Sequence, residues 1–68
     1  MDGNWVKIFS SSQGFKAEII KGMLEHHEIT AVIVNKQDSS YLVGEIEVYV
    51  PADFAMKATR LVNEHKEI

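Results

Sequence analysis

The stretch Asn35–Pro51, NKQDSSYLVGEIEVYVP, decides the fold. In its second half Ile46, Val48 and Val50 fall on one side, and Glu45, Glu47 and Tyr49 on the other. This period of two predicts a strand over Glu45–Val50 with one covered face and one wet face. Pro51 stops that strand and opens a helix, where its missing N–H costs nothing. The first half is a polar run, longer than the roughly two to five residues that join a tight hairpin.

Working outward, Thr30–Asn35 is a short β-branched run and reads as the partner strand. Trp5–Ser10 reads as a further strand, with Val6 and Ile8 on one side and Trp5, Lys7 and Phe9 on the other. Between these two lies a helical pattern reaching about His27. Ala17, Ile20, Met23 and Leu24 form its stripe, broadened by Phe15 and Ile19, with Glu18, Lys21, Glu25 and Glu28 opposite. After Pro51, Phe54, Ala55, Ala58, Leu61, Val62 and His65 form a second stripe, with Asp53 in the first turn, where its charge suits the helix dipole.

The order is therefore βαββα in one domain over 1–68. A right-handed β-α-β crossover followed by a hairpin strand slotted between the first two gives a split β-α-β arrangement. The expected fold class is α+β: a ferredoxin-like plait lacking the last strand, a three-stranded antiparallel sheet with two helices on one face. The first strand becomes an edge, and the open face is expected to carry Trp5, Phe9 and Tyr49.

Composition narrows the function classes. The chain has no cysteine, which excludes disulfides, thiolate metal sites and a cysteine nucleophile and favours the cytoplasm. MDGNWVK has no signal-peptide character, and the longest apolar run, Ala31–Val34, is far too short to span a membrane. Seven Lys and Arg against ten Asp and Glu leave a net charge of −3, which argues against a nucleic-acid partner, since phosphate neutralisation needs a basic face.

The remaining motifs have plain readings. SSSQG could bind an anion at a helix start, yet Ser10 and Gln13 fit a capping box better. His26, His27 and His65 lie near helix C-termini, where imidazole suits the dipole. Adjacent histidines point about 100° apart on a helix, so they poorly fit the convergence a metal site needs. Glu45 and Glu47 read as a solvated strand face that deters aggregation. No nucleophile–base pair is legible, so no catalytic residue, metal or cofactor is assigned and no enzyme activity is expected.

Leu24, Glu25, Ile29, Asn35, Lys36, Asp38, Ser39, Ser40, Tyr41 and the run Gly44–Pro51 carry a resemblance along nearly the whole chain. They resemble a family of small bacterial domains of unknown function, labelled putative prokaryotic signal-transducing proteins. The resemblance implies a ferredoxin-like fold, sometimes grouped with the nitrogen-regulatory PII proteins, and a signalling role. Glu28 stands where the family pattern has a helix-ending glycine. A left-handed cap there costs a non-glycine residue about 1 kcal/mol or more, so a local difference in the helix end is expected.

The expected function is a small regulatory or interaction module. It would bind a polar small molecule or a protein partner through the hairpin loop 35–44 and the open sheet face. Asn35, Lys36, Asp38, Ser39, Ser40 and Tyr41 are the candidate binding residues, and Asp38 is expected to cap a turn inside the loop. The alternative is a structural self-association domain without a ligand. A homo-oligomer, in the simplest case a dimer, is expected through Trp5, Phe9 and Tyr49 or the edge of the first strand.

Overall fold

The computed structural model describes residues 4–37 and 44–66. Its elements are β1 (Trp5–Ser11), α1 (Gly14–His26), β2 (Val32–Asn35) and β3 (Ile46–Pro51). A 3-10 turn (Ala52–Phe54) then leads into α2 (Ala55–Lys66). The strands form one antiparallel sheet in the order β1-β3-β2. This is the α+β layout expected from the sequence, with the hairpin strand in the centre.

Ile46, Val48 and Val50 face the helices and are buried, as their alternation predicts. They pack with Ala17, Ile20 and Leu24 of α1, Ala58 and Val62 of α2, and Ile29 and Ala31 from the connection into β2. Full burial of an aliphatic side chain of this size contributes about 1.5–3 kcal/mol relative to exposure. The core is thus a single layer between one sheet face and two helices.

Four features depart from the sequence pattern. The first is a bulge in β1. Val6 pairs with Val50 and Lys7 with Tyr49, but the register then shifts so that Phe9 pairs with Val48 and Ser10 with Glu47. Residues directly opposite share a face, so Phe9 lies on the helix-covered face, not on the open face with Trp5. An inserted residue changes the parity of a strand. Here it lets Phe9 and Ile8 both pack against the core.

The second is the start of α1. β1 runs on to Ser11, and Gln13 is the N-cap without a side-chain cap bond, so the expected capping box is not formed. Ser11 Oγ instead accepts the Gln13 N–H at 3.1 Å. The third is the helix margins. Phe15, Ile19 and Phe54 stay 60%, 48% and 40% exposed, and His27 and His65 are exposed, so none of them joins the core.

The fourth is the end of α1. Glu28 adopts φ +64°. Its N–H bonds to the Glu25 carbonyl at 2.9 Å, and the Ile29 N–H reaches back to the Leu24 carbonyl at 3.0 Å. This pair of bonds is a Schellman motif, and the contact it calls for is between Leu24 and Ile29, both fully buried. The glycine-type turn is therefore kept, with glutamate in the left-handed position.

Candidate binding face

The sheet face away from the helices is built from β1 and β2 flanking β3. Register places Lys7 opposite Tyr49, Val32 opposite Tyr49 and Val34 opposite Glu47. Glu47 lies on the central strand, so strands on both sides shield it, and it is 8% exposed. It is not the solvated carboxylate that the alternation suggests.

A buried carboxylate needs donors, because desolvating an unpaired charge is costly. Glu47 has three. The Tyr49 hydroxyl donates to Oε1 at 2.7 Å, the Lys36 ammonium donates to Oε1 at 3.2 Å, and the Lys7 ammonium reaches Oε2 at 3.5 Å. The hydroxyl bond is the main cause that lowers the Glu47 pKa; burial opposes it, and the charges of Lys36 and Lys7 support it. Glu47 in turn raises the Lys36 pKa, first through their hydrogen bond and then through its charge. Two cations flank this anion, and Glu45, exposed beside Lys36 and in phase with Glu47, brings a second carboxylate to the same side. The lysine side chains remain 49% and 57% exposed, so their other N–H donors face solvent.

Lys36 is held in place by the hairpin stem. Asn35 pairs with Ile46, and the Lys36 N–H bonds to the Glu45 carbonyl at 3.0 Å. Asn35 Oδ1 accepts the Gln37 N–H at 2.8 Å, an Asx turn. Gln37 Nε2 donates to the Ser12 carbonyl at 2.7 Å, tying the start of the loop to the β1–α1 connection. Gly44 closes the other side at φ +111°. A Cβ there would lie 2.6 Å from the Lys36 carbonyl oxygen, so the backbones approach as only glycine allows.

Of the candidate residues, the structure brings Lys36 and Tyr49 together, with Asn35 at the adjoining turn. Trp5 lies at the end of the same face, two positions from Lys7 and opposite Pro51. Phe9 is on the other side. Asp38, Ser39, Ser40 and Tyr41, with the turn expected at Asp38, lie outside the described residues. The sequence reading missed Lys7 and undervalued Glu47. The signal was present: Glu47 and Tyr49 share a face two positions apart, but only the register brings lysines from both sides onto them.

A carboxylate held low by three donors is a poor base at neutral pH. What the face offers is two oriented ammonium groups and a flat phenol on the side of the sheet away from the helices. This defines a small α+β module with a charged sheet face turned away from both helices. The chain belongs to the family described as putative prokaryotic signal transducing protein, whose model matches residues 5–66. No curated protein and no solved structure matches it. No helix of the described residues is long and apolar enough to cross a membrane.

Proposed function

We propose that the protein is a signalling or regulatory binding module that recognises a polar ligand bearing an anionic group. The ligand is held on the open face by Lys7, Lys36 and Tyr49, beside the loop that starts at Asn35. One observation carries this reading. Lys7 and Lys36 come from opposite sides of the sheet and converge on the same shielded carboxylate, Glu47, which orients both while their remaining donors stay in solvent. An oriented pair of cations loses less side-chain freedom on binding than two independent lysines. The family description supports a role in signal transduction.

The test is native mass spectrometry of gently purified protein, comparing wild type with Lys7→Ala and Lys36→Ala. Either single variant leaves Glu47 two of its three donors, so the domain is expected to stay folded, which circular dichroism checks before binding is read. The expected result is loss of a retained small-molecule mass in both variants. A retained protein partner, lost in the same variants, would assign the face to protein recognition instead. If wild type and variants carry identical bound species, or none, the proposal fails.

A further inference from the structure

On the side of the sheet opposite Glu47, the C-terminal end of β1, the first two turns of α1 and the last turn of α2 meet around a groove of about 470 Å³. Small-molecule sites run from about 300 to 1,000 Å³ and combine apolar walls with a few polar groups. The bulge that turns Phe9 toward the helices also brings Ser11 to that side, opposite the buried Ile46. Ser11, Phe15, Lys16, Ile19 and His65 line the groove, with the buried Ile20 at its base. Phe15 and Ile19 are large apolar side chains that stay exposed, and here they flank one concavity, one helical turn apart.

The charge around this groove has one sign. Lys16 and His65 come from different helices, and none of the described residues that line it is acidic. Lys7, Lys21 and Lys36 each have a carboxylate partner, whereas Lys16 has none among the described residues. The Ser11 hydroxyl accepts the Gln13 N–H and keeps its own O–H to donate. The outer surface of α2 beside the exposed Met56 differs, since Arg60 and Glu64 bring both signs to it. We propose that the groove binds an organic carboxylate with an apolar body. The body packs against Phe15 and Ile19, and the carboxylate meets Lys16, Ser11 and His65. A neutral apolar ligand would leave both basic groups unused, and an inorganic anion would leave the apolar wall unused. The groove shares no residue with the face formed by Lys7, Lys36 and Tyr49, so it stands independently of the ligand site proposed there.

Titration with naphthalene-2-carboxylate, followed through amide NMR shifts, tests it, with naphthalene-2-carboxamide as the uncharged match. The expected result is saturable binding of the carboxylate, with the largest shifts at Ser11, Phe15, Lys16, Ile19 and His65, and weaker binding of the amide. Lys16→Ala is expected to weaken the carboxylate about two- to fivefold, as an exposed ion pair would, and to leave the amide unchanged. Phe15→Ala is expected to weaken both about fivefold, through lost apolar contact. Both positions are exposed, so the amide spectrum of each variant should stay folded; if Phe15→Ala loses it, Ile19→Ala takes its place. Lys36→Ala should leave this binding unchanged. Shifts centred on Lys7, Lys36 and Tyr49 would overturn the groove and favour the other face of the sheet. The proposal is also overturned by no saturation at millimolar concentration, by equal binding of carboxylate and amide, or by variants at 15 and 16 that bind as wild type does.

Discussion

Replacing Glu28 by glycine should stabilise the protein. Glu28 holds φ +64° inside a Schellman motif whose two backbone bonds and whose Leu24–Ile29 contact are all in place. Nothing else in the turn needs a side chain at 28, which is exposed. A left-handed residue with a Cβ costs about 1–2 kcal/mol. Glycine removes that strain but adds about 0.5–1 kcal/mol of unfolded-state entropy to overcome. The two ranges net to a gain of up to about 1.5 kcal/mol, centred on ~0.75 kcal/mol, worth roughly 3–6 °C in melting temperature at that centre for a domain of this size. Urea unfolding followed by circular dichroism should show a higher midpoint with an unchanged slope. Glu28→Gln removes the charge from the helix C-terminus but leaves the strained φ, so it isolates any dipole effect. Glu28→Val should lower the midpoint, because a β-branched residue tolerates this conformation least. If Glu28→Gly proved neutral or destabilising, or if Glu28→Gln matched it fully, backbone strain at this turn would be the wrong explanation.

Gly44→Ala should destabilise by about 1–3 kcal/mol, since the new Cβ meets the Lys36 carbonyl at 2.6 Å with φ at +111°; thermal melts measure it, and the Lys36 and Glu45 amides should shift in NMR spectra. The ionised Glu47 cluster makes stability pH-dependent. The folded-state pKa lies below the unfolded one, so its contribution is present at neutral pH and is lost as pH falls through the depressed value. Glu47→Gln should therefore flatten the decline in melting temperature below about pH 4 relative to wild type, and an unchanged acid limb would refute the coupling.

Much of the architecture is legible in local periodicity. The alternation of Ile46, Val48 and Val50 already names the covered face of β3, and the Ala58–Val62 stripe names the buried side of α2. Pro51 marks the end of the strand, whereas the local difference expected at position 28 is not found, because the Schellman bonds hold Glu28 in the left-handed position. The strand and helix faces follow from sequence because side-chain direction repeats every 2 or 3.6 residues along a single element. Three things belong to tertiary structure. The β1 bulge moves Phe9 to the core face, and an inserted residue leaves no periodic trace within its own strand. Phe15 and Ile19 extend the α1 stripe by angle, yet they stay exposed, since burial depends on whether a neighbour reaches them. The convergence of Lys7, Lys36 and Tyr49 on Glu47 depends on the register between three strands, and register is set by pairing across the sheet.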